Sequence, residues 1–400
     1  MDVVDACLHR IDEVNPLINA VVQRADERAR YEAAAMDNLG ARGEFKGPLH
    51  GVPITVKDSL DTEGIISSGE TGNLVYGRTN NPYDIECSPG GSSGGSASII
   101  AAGGSALELG SDTGGSIREP AHLCGVAAIK PTSGRVPRTG HIIPYGAGVL
   151  DSLTQIGPMA RYVEDFSLAR PLICNMDWHD PSVVPMPLCD PADVNLDELC
   201  LAMYTDNGVA NPCADIIDTV RSVADAFADD GLQITESMPS CILRAAELYE
   251  QLRHAASGGN AMRLLNRYGT TIPGPNLDCL IKGERAEPKS IDPVLMESID
   301  EVKSQALQFM QNYDAITCPA SHDIARPHGA SLQDDFLTWS HITVYNLFGW
   351  PAAVVRAGTS RYGNLPVGVQ VVAAPWREDI ALAVAARIEQ LMGGYRKPDI

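Results

Sequence analysis

The stretch that decides the fold extends from residue 89 to residue 135 and reads PGGSSGGSASIIAAGGSALELGSDTGGSIREPAHLCGVAAIKPTSGR. Glycine and serine concentrate in two blocks, residues 89–103 and 111–116, where small side chains let backbone amides approach a ligand. Between them, residues 98–102 predict a short buried helix and residues 105–110 a short strand. A flexible Gly/Ser linker is the alternative, but linkers lack such embedded apolar runs. The stretch therefore predicts two turns that can receive an anion or an oxyanion.

The composition of the 400-residue chain argues against several classes of function. Lys and Arg number 30 against 51 Asp and Glu, which gives a formal net charge of −21, and no basic run is present. Because nucleic acids and anionic membranes are bound by clustered Lys and Arg, we expect neither as a partner.

The cysteines and apolar runs indicate the compartment and the need for cofactors. The ten cysteines are scattered, without a CxxC pair or a Cys/His cluster at metal-ligand spacing, so we expect no metal and no cofactor. Neither a signal peptide nor a run of about 18 apolar residues is visible. These features favour a cytoplasmic protein with reduced thiols.

The segments before the central stretch predict two helices that act as scaffolding. Residues 3–22 show the helical period of apolar positions and predict a helix broken at Pro16. Residues 20–39 continue the helical pattern.

A lysine stands at the end of a predicted strand. Residues 52–56 form a short apolar run that predicts a buried strand, and Lys57 follows it directly. Taken alone, such a lysine is most simply a surface group paired with Asp58 or Asp61. The functional alternative is a desolvated lysine whose lowered pKa lets it act as a base.

Beyond the central stretch, the chain predicts a loop, a helical middle and a strand-rich end. Residues 130–148 predict a loop that lines a cleft, residues 157–169 begin a helical passage, and residues 174–191 predict a connector. Further helices are predicted over residues 216–227, 244–256, 292–312 and 379–392, and strands over residues 232–238, 313–319, 350–355 and 365–373. We expect a single α/β domain in which residues 1–172 and 313–400 form the sheet and the mainly helical residues 173–312 shape a substrate pocket.

The polar residues in and near the central stretch suit acyl transfer. A serine becomes nucleophilic when a base takes its proton, and that base can be a neutral lysine such as Lys57. Ser116 directly follows the sequence Thr113-Gly114-Gly115, so a turn there lets the N–H groups of Thr113 to Ser116 point at one oxygen. A base and an oxyanion hole together complete an acyl-transfer site.

These residues resemble the amidase signature family, whose hallmark is a Gly/Ser-rich block that ends in GGS followed by Ile-Arg. The resemblance covers nearly the whole chain and is weakest over residues 174–312. The motifs that carry it are GVPITVKD at residues 51–58, SPGGSSGGS at 88–96, GSDTGGSIREPA at 110–121, KPTSGR at 130–135, NLFGWPAAVVRAG at 346–358 and LPVGVQVVA at 365–373.

The resemblance implies a mixed β-sheet core flanked by helices on both faces, and an amidohydrolase that cleaves the C–N bond of a small carboxylic amide, with carbamates and esters open. It implies Ser116 as the nucleophile, Ser92 as a bridging serine with a cis peptide, and Lys57 as the base. It further implies that Arg118 braces the loop against Asp112. Ser93 is expected in a supporting role beside Ser92.

Two departures from the family pattern bear on the site. The family has several tens more residues after its lysine segment, including a helix and a strand, whereas residues 64–83 are short here. Loss of this unit is expected to expose the sheet or weaken the burial of Lys57. Ala128 stands where the family has glycine.

Other functions stay open. Residues 91–95 satisfy GxSxG with Ser93 as nucleophile and His328 or His341 as base, although no apolar run precedes them. The chain is alternatively a glutamine-hydrolysing subunit of an amidotransferase complex, or a catalytically impaired family member that only binds. The sequence also leaves a homodimer open.

Overall fold

A computed structural model describes residues 1–60, 72, 73, 75–141, 150–269, 271, 291–330 and 336–400. Within these residues, nine strands form one mixed sheet and two short strands form a separate hairpin. In chain order the strands are β1 (Ile54–Val56), β2 (Gly72–Asn73), β3 (Gly77–Arg78), β4 (Leu107–Asp112), β5 (Ala127–Lys130), β6 (Gln155–Ala160), β7 (Cys200–Met203), β8 (Gln233–Glu236), β9 (Ala315–Pro319), β10 (Ala352–Thr359) and β11 (Pro366–Ala373).

Helices of four to 27 residues surround the sheet. In chain order they are α1 (Asp2–Ile18), α2 (Asp26–Gly40), α3 (Gly94–Ala102), α4 (Arg118–Cys124), α5 (Leu150–Leu153), α6 (Asp165–Ile173), α7 (Ala214–Asp229), α8 (Ile242–Tyr268), α9 (Pro293–Phe309), α10 (Ser340–Phe348) and α11 (Glu378–Met392). Helices α7, α9 and α11 agree with the predicted helices within a few residues, whereas α8 extends well beyond its predicted end at residue 256 and α4, α5 and α10 were not predicted. The helix–strand order predicted for the central stretch is confirmed as α3 and β4.

The large sheet joins strands from both ends of the chain. Its order is β1-β4-β6-β5-β10-β11-β9-β7-β8, and β10 pairs antiparallel with both β5 and β11. The prediction that the sheet is assembled from both ends is therefore confirmed. However, the middle of the chain is not only helical, because it contributes β7 and β8 next to β9.

Helices cover both faces of this sheet. Side chains along a strand alternate between its faces. On β10, Ala353 and Val355 join a core cluster with α7 and α11, whereas Ala352 joins a cluster with α8 and α10 and Val354 one with α3 and α4. The predicted mixed sheet with helices on both faces is confirmed.

Helix α1 is not broken at Pro16, as the sequence had suggested. The proline lies in the last turn, and the helix continues to the fully buried Ile18. The Asn15 side chain accepts hydrogen bonds from the amides of Ala20 and Val21, both at 2.8 Å, and so caps the end of the helix. Burial and capping outweigh the hydrogen bond that the proline cannot make. The chain then leaves the helix, so α2 begins at Asp26 rather than near residue 20.

Two further predictions about the sheet are wrong. Residues 157–160 belong to β6 rather than to a helix, because they pair with β4 and β5. Strand β1 is not buried: it lies at the end of the strand order, and Ile54 and Val56 are 47% and 36% exposed. A strand is buried only when a neighbour covers it, and an apolar run does not reveal whether one does.

Across the described ranges, no helix has the length and apolar character needed to cross a bilayer. The nine cysteines in these ranges are free thiols. Within the described ranges, no group of three or more His, Cys, Asp or Glu residues is arranged to hold a metal ion.

Candidate active site

Strand β1 leads Lys57 from an exposed edge into the interior of the protein. The backbone amide of Lys57 donates to the Leu109 carbonyl at 3.2 Å, which continues the pairing of β1 with β4. The side chain is buried, and its Nζ donates to Ser92 Oγ at 2.6 Å, to Ser111 Oγ at 3.0 Å and to the Ser111 carbonyl at 3.3 Å. Lys57 is thus an interior lysine directed at a serine. Asp61, one of the two partners considered for it, lies outside the described residues.

The two Gly/Ser blocks meet beside this lysine. The Gly91–Ser92 peptide bond is cis, as the family resemblance implied, and α3 begins directly after Ser93. The amide of Ser93 donates to the carbonyl of Ser116 at 3.0 Å, and Ser93 Oγ donates to the Ser111 carbonyl at 3.4 Å. These bonds hold the segment of Ser92 against the turn that carries Ser116. Ser92 and Ser116 are both half-buried, so each keeps some access to a ligand.

The turn before Ser116 is built on the carboxylate of Asp112, the last residue of β4. This carboxylate accepts from the amides of Gly115 at 2.8 Å and Ile117 at 3.2 Å. Gly115 has a φ of +110°, and a Cβ on Gly114 would lie 2.5 Å from the Tyr249 hydroxyl oxygen. Glycine is therefore required at both positions, for backbone conformation at one and for space at the other.

The predicted oxyanion hole changes in one member. Its four proposed donors were the amides of Thr113, Gly114, Gly115 and Ser116. The Gly115 amide instead donates to the Asp112 carboxylate, which organises the turn. The Gly115 amide is therefore not available to an oxyanion. The amides of Thr113, Gly114 and Ser116 remain as candidates.

A buried ion pair stabilises the turn that carries Ser116. Arg118 and Asp112 are both fully buried and joined by hydrogen bonds of 3.0 and 3.1 Å. Arg118 also donates to Gln370 at 2.7 Å, to the Ile342 carbonyl at 3.1 Å and to Asn346. Burial alone would raise the pKa of Asp112, but the charge and hydrogen bonds of Arg118 outweigh it and hold that pKa well below its usual range. The structure places Arg118 against Asp112, as the resemblance implied.

Three further residues support the turn, and the sequence analysis did not predict a role for them. Tyr249 on α8 donates its hydroxyl to the Thr113 carbonyl at 3.0 Å, while Asn346 and Gln370 hold Arg118. Gln370 interrupts an otherwise apolar strand, a pattern that indicates a buried polar contact. Tyr249 lies in the middle region, where no sequence pattern distinguishes it from a core tyrosine.

The alternative prediction, a nucleophile elbow with Ser93 as nucleophile, is wrong. Ser93 is buried, and the residues before it form no strand. His341 Nε2 lies 2.7 Å from the Ala210 carbonyl, and His328 Nε2 lies 3.3 Å from the Ile85 carbonyl. Burial lowers the pKa of His341 to about 4. Both imidazoles are committed to backbone carbonyls, and the elbow also requires a preceding strand.

A cavity of about 410 Å³ lies behind Lys57. Residues of α1, α2 and the loop between them form its outer wall, and β1, Lys57, Ser92 and Glu108 form its inner wall. The cavity adjoins the exposed strand β1.

The family model described as Amidase matches residues 2–69 and 65–382. The two matched segments meet at residues 65–69. That junction falls in the part of the chain, residues 64–83, that is short for the family.

Known proteins match nearly the whole length of the chain. The A subunit of a glutamyl-tRNA(Gln) amidotransferase from Natranaerobius thermophilus is 27% identical over 469 residues, covering 99% of this chain and 93% of the relative. Indoleacetamide hydrolase from Bradyrhizobium diazoefficiens is 28% identical over 449 residues, covering 98% of this chain and 83% of the relative. The solved structure of 6-aminohexanoate cyclic dimer hydrolase superposes with a TM-score of 0.85 at 22% identity, covering 99% and 95% of the two chains. At that identity the likeness shows the fold alone.

Proposed function

The chain belongs to the amidase family of carbon–nitrogen hydrolases, and on that premise we propose that it cleaves a small carboxylic amide with Ser116 as nucleophile, Ser92 as proton bridge and Lys57 as base. The observation that carries these roles is the 2.6 Å hydrogen bond between Lys57 Nζ and Ser92 Oγ in a buried setting. The bond from the Ser93 amide to the Ser116 carbonyl supports the role of Ser116, because it joins the backbone of Ser116 to the residue next to Ser92.

In the first half of the reaction, Ser116 Oγ attacks the amide carbon. Ser92 takes the Ser116 proton while it gives its own proton to the neutral amine of Lys57. The carbonyl oxygen becomes an oxyanion, which receives hydrogen bonds from the amides of Thr113, Gly114 and Ser116. When the C–N bond breaks, the protons return by the same route to the leaving amine, and an acyl ester of Ser116 remains.

In the second half, water replaces the amine. The relay takes a proton from the attacking water, the ester bond breaks, and Ser116 regains its proton as the carboxylic acid leaves. Carbamates and esters pass through the same acyl chemistry, so the proposal extends to them.

A fluorophosphonate probe tests the nucleophile directly, because it bonds covalently to activated serines. We expect intact-mass analysis to show one adduct on the wild-type protein and on Ser167→Ala, an exposed serine of α6. Ser116→Ala is expected to show none and to lose amide turnover. A Ser116→Ala protein that keeps wild-type turnover would refute the assignment.

The base is tested by Lys57→Ala and by the pH profile. Lys57→Ala is expected to lose kcat far more than substrate binding, because the lysine acts on the proton and not on the substrate. The rate is expected to fall towards low pH as Lys57 becomes protonated. Full activity maintained down to about pH 5 would contradict a lysine base.

A second candidate is a glutamine-hydrolysing subunit, favoured by the match to the amidotransferase A subunit. The purified chain separates the candidates when it is offered simple aryl and alkyl amides and glutamine. Release of amine from simple amides supports the free hydrolase, and ammonia from glutamine alone supports the subunit. No turnover of any amide and no probe adduct would indicate an impaired family member.

We also propose a cytoplasmic location, since the free thiols of the described cysteines suit a reducing compartment. A homodimer is the oligomeric state to be tested, and light scattering on the purified chain distinguishes it from a monomer.

A further inference from the structure

Glu108 on β4 is a buried carboxyl group that the proposed reaction does not use. It pairs in register with Thr55 of the parallel strand β1, so the two side chains lie on the same face of the sheet. Thr55 Oγ1 donates to Glu108 Oε2 at 2.5 Å, and Ser96 Oγ donates to Glu108 Oε1. Each carboxylate oxygen therefore holds a hydroxyl from a different element.

Those two hydroxyls belong to the elements that present the base and the bridging serine. Thr55 precedes Lys57 by two residues on the same extended segment, so their side chains point to the same side. Ser96 lies in the first turn of α3, which begins two residues after Ser92. Glu108 thus connects the carrier of Lys57 to the helix that follows Ser92.

The connection matters because β1 is weakly held. It has three residues, its pairing partner among the described strands is β4, and its apolar side chains are partly exposed. The cavity behind Lys57 leaves the strand without close packing on that side. A shift of about 1 Å in Lys57 is enough to disrupt proton transfer across a hydrogen bond.

We propose that Glu108 is a positioning residue for the base: through Thr55 and Ser96 it holds Lys57 at Ser92, and its charge governs how readily Lys57 gives up a proton. This inference rests on the roles proposed for Lys57 and Ser92.

The charge of Glu108 changes in the neutral range. Burial raises the pKa of Glu108 to about 7, although the hydrogen bonds from Ser96 and Thr55 and the charge of Lys57 oppose the rise. An ionised Glu108 stabilises the protonated form of Lys57 and so opposes the neutral amine that the reaction needs.

The cavity wall carries other charged or titratable groups, and these residues are identical in the wild type and in Glu108→Gln. They are Asp58 beside β1, Arg24, Asp26, Arg28 and Glu32 of α2 and its preceding loop, Cys7 of α1, and Tyr76.

The test compares Glu108→Gln with Glu389→Gln by measuring how fast a fluorophosphonate labels Ser116 between about pH 5 and 10. Glu389 on α11 is a matched control, because burial also raises its pKa to about 7 while its carboxylate accepts from the Val163 amide at 3.3 Å, away from β1. For Glu108→Gln we expect labelling about tenfold slower at the optimum, because the Gln amide nitrogen is a donor and cannot accept the hydrogen bond that one carboxylate oxygen accepts from a hydroxyl. We also expect the acid limb to move about half a unit or more to lower pH, because the negative charge is gone. Glu389→Gln is expected to follow the wild-type profile.

The outcomes separate this inference from the proposed function. If the wild-type protein is labelled at Ser116 and Glu108→Gln matches it at every pH, the role of Glu108 is refuted while the proposed function stands. If wild-type Ser116 is not labelled, both fail. Should Glu108→Gln not fold, Thr55→Val removes one hydroxyl and keeps the carboxyl. Several-fold slower labelling of Thr55→Val supports positioning, and a wild-type rate overturns it.

Discussion

The two sides of the candidate site are built very differently. The turn of Ser116 rests on Asp112 and Arg118, which are fully buried and bonded to α10 and β11. Lys57 instead follows a three-residue edge strand beside a cavity. Ser116, the proposed nucleophile, is thus held by the centre of the fold, whereas Lys57, the proposed base, is held by its edge. We therefore expect a change in the packing of the edge to affect catalysis more than stability, and a change at the centre to affect both.

The largest effect on stability is expected at the centre, from Arg118→Met. This substitution leaves the Asp112 carboxylate buried without its ion partner, and breaking such a pair costs about 3–5 kcal/mol. Urea unfolding measures the loss. The control is Arg361→Met, in which an exposed arginine loses its ion pairs with Asp215 and Asp218, and we expect a midpoint close to that of the wild type. Equal midpoints for both variants would show that the buried pair at the centre stabilises the fold no more than a surface ion pair does.

The next effect is a pH dependence at the edge. Since the pKa of Glu108 is raised from 4.5 to about 7, the folded protein between these values keeps a proton that the unfolded chain releases. Stability from this group is complete below pH 4.5 and is lost as the pH rises through about 7. The free energy of unfolding that depends on protonation of Glu108 is about 3 kcal/mol in total.

Glu108→Gln removes the titrating group, so its free energy of unfolding should fall less than that of the wild type as the pH rises. Urea unfolding at several pH values between about 5 and 8 measures the difference. Glu301→Gln, on the exposed face of α9, is expected to keep the wild-type slope. An unchanged slope in Glu108→Gln would show that its carboxyl is not protonated in the folded state.

A matched pair of valines compares the packing of the two regions. Val354 on β10 is fully buried, whereas Val56 on β1 is 36% exposed. Val354→Thr places a hydroxyl in the core and is expected to cost about 1–3 kcal/mol. Val56→Thr is expected to cost about 0.5 kcal/mol or less. Thermal unfolding distinguishes these outcomes, and a similar loss for both would mean that β1 is packed as tightly as β10.

The smallest effect concerns the hydrogen bond from Tyr249 to the Thr113 carbonyl. Tyr249→Phe removes a hydrogen bond that stabilises the ordered turn by about 1 kcal/mol. Because the turn must be ordered in the transition state, we expect kcat to fall about fivefold. The control is Tyr204→Phe, whose hydroxyl bonds to Tyr345 instead. Steady-state kinetics on any amide that the wild type hydrolyses measures kcat. Equal kcat values for the two variants would mean that α8 does not order the turn.

Local features of the sequence predicted the site better than the sheet. Asp112, the glycines and Arg118 are neighbours in one motif, and the family resemblance that this motif carries implied the brace of Arg118 against Asp112. The direction of Lys57 towards Ser92 was likewise implied by the resemblance, because the lysine taken alone favoured a surface group. The use of the Gly115 amide depends on where the Asp112 carboxylate points, which spacing does not reveal. The exposure of β1 and the entry of β7 and β8 into the sheet depend on which distant strands become neighbours. Tyr249 reaches the turn from 136 residues away and has no local signal.

The strand order has a consequence for how the protein is made. Both central strands, β10 and β11, come from the C-terminal part of the chain, between β5 and β9. A chain emerging from the ribosome therefore carries Lys57, Ser92 and Ser116 long before Gln370 arrives to hold Arg118. Before β10 and β11 are made, β5 and β9 each present an unpaired edge on which a chaperone can act and along which neighbouring chains can associate. Synthesis of β11 is thus the step at which a nascent chain can become an enzyme.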